Sequence, residues 1–322
     1  MKVLFVASGN SKNFDIAPFI KAQGESIKEQ GIDIEYFPVL EKGLTGYIKS
    51  SFKLRKYLRE NKFDLIHAHY TLCGWTVVLA RPNTPVILSL MGSDAYGSYN
   101  GYKKVSYKSR YLTLLTYFIQ PFLKGIISKS GNINKYVYRK RISYIIPNGV
   151  NLNQHEFNDI DFRTEFGLRN DKKYILFLGD KKDKRKNFAL VKDAVELLDH
   201  SDIELLSPFP VPHHQVNKLL KSVNILVLTS FMEGSPNVIK EAMACNCPVV
   251  ATDVGDVRWL FGDEPGYYVA GFLPEDFADK IKSALVFVKN TGRTKGADRI
   301  IKLGLDSCTV AEKLIEVYKK VV

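Results

Sequence analysis

Several features that mark particular classes of protein are missing from this sequence. No stretch approaches the roughly 20 apolar residues of a membrane-spanning helix, and the apolar run at residues 3–7 is too short for the core of a signal peptide. Only four cysteines occur, and Cys245 and Cys247 are separated by one residue, which is fewer than the common metal-binding spacing. We therefore expect a cytoplasmic protein with reduced thiols and no bound metal.

Acidic residues are absent between Asp94 and Glu156, where ten lysines and arginines occur among aromatic residues. The excess positive charge of the chain, +12, lies in its first half. This charge has three candidate partners: nucleic acid, an anionic membrane surface or a phosphorylated small molecule. The alternative is a basic face that contacts only solvent. Residues 104–122 have the composition of a helix in the headgroup plane, and no nucleic-acid-binding motif accompanies the charge. We predict peripheral contact with an anionic membrane through residues 95–155, and no nucleic-acid partner.

The length of 322 residues exceeds what one hydrophobic core usually serves, so two domains are expected. Short apolar runs alternate with helical patterns from end to end, which predicts two doubly wound α/β domains. The segment at 146–161, rich in asparagine, is the expected seam between residues 1–155 and 156–305. The runs that predict buried parallel strands are 2–7, 32–39, 65–70, 86–91, 125–128, 142–146, 174–178, 203–206, 225–229, 248–252 and 267–269.

Doubly wound sheets bind ligands where the carboxyl ends of strands lead into helices. The sequence VASGNS follows the first predicted strand, and its Gly9 and Asn10 are candidates for backbone approach to a phosphate. A three-glycine dinucleotide fingerprint and a phosphate-binding P-loop are both absent, so this motif alone is weak evidence.

The sequence NILVLTS at 224–230 predicts a strand, and SPNVIKEAMA at 235–244 predicts the helix that follows. Ser235 is the expected cap, and Pro236 is expected at the first helical position, where a missing N–H costs nothing. The amides of Gly234, Ser235, Asn237 and Val238 then lie unpaired at the positive end of the helix dipole. This arrangement predicts a phosphate site.

Two glutamates flank that phosphate site. Glu241 lies five residues beyond Pro236, about 7.5 Å along the helix axis, so its carboxylate is expected to accept both ribose hydroxyls of a bound nucleotide. Glu233 precedes the helix and is expected to face a hydroxylated group, the transferred sugar. The alternative is that Glu233 caps a neighbouring loop and Glu241 faces solvent.

The segment EGSPNVIKE, followed by AMACNCPVVATDVGD, closely resembles the signature of the retaining glycosyltransferases of family 4. DLIHAHY, PVILSLMGSD, YIIPNGVNL, YILFLGD and KLIEVYKKV fall in the order of that family. The resemblance implies a GT-B fold, in which two Rossmann-like doubly wound domains face each other across a cleft. It also implies that the nucleotide sugar binds mainly to the C-terminal domain, and that the last helix, residues 306–322, returns to the N-terminal domain.

The implied reaction is transfer of a hexose from a UDP- or GDP-linked sugar to a hydroxyl of a lipid-linked or oligosaccharide acceptor, in the synthesis of a surface polysaccharide. The resemblance implies retention at the anomeric carbon, no metal or other cofactor, and a departing phosphate oxygen that serves as the base. Two alternatives stay open: a sugar-phosphate synthase with a soluble phosphorylated acceptor, and a non-catalytic membrane-associated scaffold.

The resemblance also implies roles for individual residues. Lys186 matches the phosphate-binding lysine of the family, while the usual second cation, an arginine directly after the glycine of FLGD, is Asp180 here. Lys181 or Arg185 must substitute for it. Glu233 would orient the donor sugar.

In the N-terminal half, Met91 stands where the family often has a histidine, so Asp94 is a candidate for contacting acceptor or donor hydroxyls. His67 and His69 lie on one side of a predicted strand. The alternative roles for them are local hydrogen bonding, a sugar contact by His69 and a metal-binding pair. The segment before VPHHQ is shorter than in the family, where it contacts the nucleotide base. The sequence therefore does not decide between a uridine and a guanosine nucleotide in the donor.

Overall fold

The computed structural model describes residues 1–9, 15–40, 43–152 and 162–322. The described chain forms two compact units. The first comprises residues 1–98, 105–149 and 307–322, and the second comprises residues 99–104 and 150–306. Asn10 and most of the predicted seam lie outside the described residues.

The apolar runs predicted as strands are all confirmed, each to within a residue at either end. A short hairpin at 99–105 was not predicted. The strands are β1 (Lys2–Ser8), β2 (Asp33–Val39), β3 (Leu65–His69), β4 (Val86–Leu90), β5 (Tyr99–Gly101), β6 (Lys104–Val105), β7 (Gly125–Ser128), β8 (Ser143–Ile145), β9 (Lys173–Phe177), β10 (Ile203–Leu206), β11 (Ile225–Leu228), β12 (Val249–Thr252) and β13 (Tyr267–Ala270).

Helices fill the intervals between most consecutive strands, as a doubly wound topology requires. In chain order they are α1 (Pro18–Lys28), α2 (Gly43–Glu60), α3 (Thr71–Ala80), α4 (Ser93–Tyr96), α5 (Arg110–Ile119), α6 (Gly131–Asn134), α7 (Phe188–Glu196), α8 (His213–Ser222), α9 (Asn237–Ala244), α10 (Val257–Phe261), α11 (Pro274–Thr291), α12 (Gly296–Lys302) and α13 (Ser307–Val321).

The first unit is built on a parallel sheet of order β2-β1-β3-β4-β7-β8. Val3 of β1 pairs with Ile34 of β2 and with Leu65 of β3, so β1 is covered on both edges. Residues of α2, α3 and α5 pack with one face of the sheet, and those of α1 and α13 pack with the other. The helix at the C-terminal end of the chain therefore belongs to the first unit.

The second unit is built on a parallel sheet of order β10-β9-β11-β12-β13. Leu176 of β9 pairs with Leu206 of β10 and with Leu226 of β11. Residues of α8, α9, α10 and α12 pack with one face, while those of α7 and α11 pack with the other. The inner strands of each sheet are thus buried on both faces, which explains why they are nearly continuous apolar runs, while the edge strands β2 and β10 are less buried and include acidic residues.

The order of the second sheet fixes where a ligand is expected. From β9 the chain passes through α7 to β10 on one side, and it later returns to place β11 on the other side of β9. The loops after β9 and β11 therefore start at the point where the strand order reverses, the usual ligand site of such sheets. The first sheet has its reversal between β1 and β3.

In the described ranges, no helix combines the length and the apolar character that crossing a bilayer requires.

Candidate functional site

The loop from β11 to α9 lies at the reversal point of the second sheet. Pro236 is the N-cap of α9 and the helix begins at Asn237, so the predicted start, with Ser235 as the cap, is wrong by one residue. The Ser235 hydroxyl is buried, and its interaction with Asp256 opposes the rise that burial causes in the pKa of that carboxyl. The loop is held from the other side by Gly255, since a β-carbon there would overlap the carbonyl oxygen of Gly234. The predicted phosphate-binding turn is therefore fixed by close backbone packing.

Glu233 lies in this loop and gathers three hydrogen-bond donors at one carboxylate oxygen. Its Oε1 accepts from Arg185 Nη1 at 2.7 Å, from Lys186 Nζ at 2.8 Å and from Ser230 Oγ at 2.8 Å. Burial disfavours the charged carboxylate, but the positive charges of Lys186 and Arg185 outweigh it and hold the pKa of Glu233 below its ordinary value. The loop before α9 therefore carries an ionised carboxylate, and two cations from another loop cluster around it.

The two cations come from a 3₁₀ turn, Lys184–Lys186, in the loop between β9 and α7. The Asp183 side chain caps this turn by accepting from the Arg185 amide at 2.9 Å. The carbonyl of Arg185 accepts from the Phe231 amide at 2.9 Å, and the carbonyl of Lys186 accepts from Thr229 Oγ1 at 2.8 Å. Hydrogen bonds from Thr229 and Phe231, which follow β11, to the backbone of this turn thus fix the position of both cations.

Lys181 and Arg185 are the two alternatives for the second cation. The Nζ of Lys181 lies 5.0 Å from the ring centre of Phe188, in a cation–π contact. Arg185 instead lies beside Lys186 on the Glu233 carboxylate. The geometry favours Arg185 as the partner of Lys186.

Glu241 lies one turn into α9 and contacts a residue that the sequence analysis did not single out. Its Oε1 is 3.4 Å from Nε2 of His213, the first residue of α8. This hydrogen bond, assisted by the negative charge of Glu241, raises the pKa of His213 despite partial burial. The Glu241 side chain is only partly exposed and contacts His213. The alternative in which Glu241 simply faces solvent is therefore not supported. The histidine pair of VPHHQ was visible in the sequence, but nothing there indicated that it meets α9.

A second unpredicted group is buried behind the first turn of α9. Lys240 is 1% exposed, and burial lowers its pKa to about 8 although Asp256 and Glu241 oppose that shift. Burial also raises the pKa of Asp256, against the charge of Lys240. Asp256 follows Gly255 directly, so these opposite charges lie beside the backbone contact that fixes the phosphate-binding turn.

In the first unit, Gly9 follows β1 at the reversal point of that sheet. Its amide donates to the carbonyl of Val39 at 2.8 Å, and a β-carbon at this position would meet Leu40 Cδ2 at 2.7 Å and the carbonyl oxygen of Asp15 at 2.8 Å. The glycine is thus required for packing of the chain against itself. Its predicted partner Asn10 is outside the described residues.

Asp94 is fully buried and both of its carboxylate oxygens accept hydrogen bonds from the protein. Oδ1 accepts from the amides of Met91 and Gly92 at 2.9 and 2.8 Å, and Oδ2 accepts from the amide and hydroxyl of Thr71 at 3.0 and 3.3 Å. Asp94 therefore ties the turn after β4 to the start of α3. This arrangement does not support the predicted contact of Asp94 with a sugar hydroxyl.

The two histidines of β3 are buried side by side, with ring centres 4.2 Å apart. His67 hydrogen-bonds to Tyr318 Oη at 2.6 Å and to Ser89 Oγ at 2.8 Å, while the ring nitrogens of His69 have no partner among the described residues. Burial, together with the positive charge of Lys129, holds both pKa values well below the ordinary value, so both rings are neutral. Local hydrogen bonding is confirmed for His67.

Two family models match the chain in succession. The model described as Glycosyltransferase Family 4 matches residues 3–154, and that described as Glycosyl transferases group 1 matches residues 169–286.

Curated relatives carry similar descriptions. An uncharacterized glycosyltransferase of Methanocaldococcus jannaschii is 30% identical over 73% of this chain and 69% of its own length. A putative teichuronic acid biosynthesis glycosyltransferase of Bacillus subtilis, TuaC, is 26% identical over 62% of this chain. The chain spans only 55% of the length of that Bacillus protein.

Solved structures show the same fold at low sequence identity. Sucrose-phosphate synthase of Thermosynechococcus elongatus superposes with a TM-score of 0.78 at 16% identity, covering 99% of this chain and 98% of that one. HepE of Anabaena, solved in complex with UDP and glucose, superposes with a TM-score of 0.73 at 16% identity, covering 99% of each chain.

Proposed function

We propose a function on the premise that the chain belongs to the group 1 glycosyltransferases of family 4 and has their GT-B fold. In this proposal the protein transfers a hexose from a nucleotide diphosphate sugar with retention and without a metal. The acceptor is a hydroxyl of a lipid-linked or oligosaccharide substrate in surface polysaccharide synthesis. The description of the Bacillus relative supports this pathway, and the UDP and glucose bound by the Anabaena protein support a nucleotide-sugar donor.

One observation carries the proposal: Arg185 and Lys186 converge on the loop that leads into α9, at the reversal point of the second sheet. A helix start offers amides without intrahelical acceptors, and a positive dipole end. Two adjacent cations add the charge that a diphosphate requires. Lys186 and Arg185 bind the diphosphate together with the amides of Asn237 and Val238 in this proposal.

The same groups have a catalytic role when the glycosidic bond to phosphate breaks. The electron pair of that bond leaves with the diphosphate, and fixed cations stabilise the charge where it develops. The acceptor oxygen bonds to the anomeric carbon on the same face, and its proton passes to the departing phosphate oxygen. No side-chain nucleophile is needed, which assigns Glu233 to orienting the cations and the donor sugar.

Glu241 holds the nucleoside end of the donor in this proposal. Two vicinal ribose hydroxyls donate to one carboxylate, and the contact with His213 fixes the orientation of that carboxylate on α9. His213 therefore has a positioning role.

A phosphorylated acceptor is a second candidate. A D-inositol 3-phosphate glycosyltransferase of Frankia alni is 37% identical over 98 residues, which is 30% of this chain and 24% of its own length. Transfer assays with a soluble sugar phosphate and with a lipid-linked saccharide separate the two acceptor classes.

Thermal-shift assays with inorganic pyrophosphate, UDP and GDP test the donor site. A ligand at 100 times its dissociation constant stabilises the folded protein by about 2.7 kcal/mol. Lys186→Ala is expected to abolish the shifts from both pyrophosphate and nucleotide, while Glu241→Ala reduces only the nucleotide shift. Lys181→Ala is the matched control, because that side chain contacts Phe188 instead.

The proposal fails if no nucleoside diphosphate stabilises the wild type, or if Lys186→Ala binds as the wild type does. A non-catalytic scaffold predicts that Lys186→Ala keeps the biological effect of the protein. The transferase predicts that the effect is lost together with turnover.

A further inference from the structure

Helix α2 of the first unit has an unusual distribution of side chains. Its inward positions include small residues, namely Gly46, Ser50 and Ser51, which are buried. Its apolar residues Leu44, Ile48 and Phe52 recur every four positions and are instead 52, 48 and 68% exposed. Residues spaced by four lie on one side of a helix. A helix that packs only against its own sheet has one apolar side, whereas α2 exposes this stripe in addition to the side that buries Leu54.

The charges on α2 have one sign over almost its whole length. Glu60 at the C-terminal end is its one acidic residue, and the segment from residue 43 to residue 59 contains none. The basic residues around the apolar stripe are all exposed: Lys49, Lys53, Arg55, Lys56 and Arg59. The outward side of α2 thus combines apolar side chains with a concentrated positive charge.

The surface extends beyond α2. Helix α3 packs between α2 and α5, and Leu79 of α3 is exposed. On α5 the side chains of Leu112, Thr116 and Ile119 are buried. The exposed side of α5 and of the turn after it is again apolar, with Tyr111, Leu114, Phe118 and Phe122.

We propose that this surface docks on an anionic lipid bilayer, with Leu44, Ile48 and Phe52 entering the boundary between headgroups and acyl chains. We call it the α2–α5 face, defined by the exposed apolar residues of α2, α3 and α5 and the basic residues of α2. The membrane contact predicted from the sequence covers residues 95–155 only, so α2 is a new element of this surface.

Charge complementarity selects this occupant. Interfacial helices require both an apolar stripe that enters the bilayer and lysines or arginines that meet anionic headgroups. A phosphate backbone pairs with the basic residues but leaves the apolar stripe in water. A second copy of the face brings five like charges per α2 against five, which opposes a symmetric dimer through this helix.

The inference goes beyond the proposed transferase activity and does not depend on it. A chain that fails to bind vesicles can still bind a nucleoside diphosphate, and a membrane-bound scaffold without activity would still dock. The two proposals therefore fail separately.

Flotation with vesicles of phosphatidylcholine, alone or with one third phosphatidylglycerol, tests the docking. The wild type is expected to float with the anionic vesicles at low salt and to be released at high salt, since screening weakens charge attraction. Phe52→Asn and Ile48→Asn are expected to reduce binding at least tenfold. Ile301→Asn and Leu197→Asn, which replace similarly exposed apolar residues in the second unit, are the matched controls.

A charge variant provides the second arm. Lys49→Gln, Lys53→Gln and Lys56→Gln together are expected to weaken binding to anionic vesicles by roughly 100-fold, at about a fivefold loss for each basic residue near the surface. The control removes three other lysines that lie on the second unit: Lys282, Lys289 and Lys302.

Hydrogen exchange and the melting temperatures of the variants complete the test. Vesicles are expected to protect the amides of residues 43–60, and every variant should keep the melting temperature of the wild type. Absence of flotation overturns the proposal, as does equal flotation of Phe52→Asn. Concentration-dependent dimerisation that Phe52→Asn abolishes, or nucleic-acid binding that the stripe variants weaken, would assign the face to another partner and also overturn it.

Discussion

Replacing Glu233 by glutamine removes the charge that holds Arg185 and Lys186 together. Three donors meet at Oε1, and hydrogen bonds to charged groups contribute about 1.5–3 kcal/mol each. The charged ends of both cations keep access to water, with side chains 29 and 20% exposed, and the glutamine oxygen still accepts one bond. We therefore expect a net loss of about 2 kcal/mol, well below the sum of the three bonds.

For a unit of this size, 1 kcal/mol shifts the melting temperature by about 2–4 °C. Glu233→Gln is therefore expected to lower the unfolding transition of the second unit by roughly 4–8 °C at pH 7. Glu196→Gln serves as the control, because Glu196 forms an exposed ion pair with Lys192 at 3.6 Å. Such a pair is expected to contribute less than about 0.5 kcal/mol.

The pH dependence has a defined sign. The folded-state pKa of Glu233 is lowered from an ordinary value of 4.5, so its stabilising effect is fully present above pH 4.5. It is lost as the pH falls through the folded-state pKa. The difference between the wild type and Glu233→Gln should shrink on acidification.

Calorimetry of Glu233→Gln, Lys186→Met and the double variant measures the coupling directly. We expect a coupling energy of about 1 kcal/mol between the two positions, since they share a hydrogen bond. A melting shift no larger than that of Glu196→Gln, or additive effects of the two substitutions, would refute the electrostatic account of this cluster.

Two further predictions concern contacts elsewhere. Pairing with Glu241 raises the folded-state pKa of His213 above its ordinary value of 6.5. The pairing therefore stabilises the protein fully below pH 6.5, and this stabilisation is lost as the pH rises through the raised value. Urea unfolding of His213→Gln should therefore show a deficit of under about 1 kcal/mol at pH 5.5 that vanishes at pH 9, and a constant deficit would contradict this. Asp94→Ala leaves the buried amides of Met91, Gly92 and Thr71 without their acceptor, so we expect a loss of about 3 kcal/mol or more, measured by the unfolding of the first unit.

The strands of the two main sheets were predictable because most of them are short runs of apolar residues bounded by polar ones. Burial on both faces of a parallel sheet demands that composition, and the runs at 174–178 and 225–229 show it directly. The hairpin at 99–105 was missed since its residues, YNGYKKV, are mostly polar and do not alternate. Its placement with the second unit depends on long-range contacts that no local pattern encodes.

From local patterns alone, the candidate site was predictable only where its residues are close in sequence, and Lys186 and Arg185 entered through the family resemblance. The spacing of Glu233 and Glu241 around a helix start is a local property, and the structure bears out that placement to within a residue. The contacts of Glu233 with Arg185 and Lys186 join positions 48 and 47 residues apart. Such pairings follow from the strand order β9-β11, which a sequence pattern does not reveal.

Those pairings bear on what Glu233 does under the proposed function. A nucleotide diphosphate brings at least two negative charges to Arg185 and Lys186, the cations with which the Glu233 carboxylate pairs. Carboxylate and diphosphate then share the same donors, which weakens the hold of the cations on Glu233. The loop position from which Glu233 pairs with these cations is the same position from which a carboxylate can accept hydroxyls of the sugar attached to that diphosphate. Local bonding and sugar orientation therefore describe two states of one residue, and Glu233→Gln should impair transfer more than it impairs binding of the diphosphate.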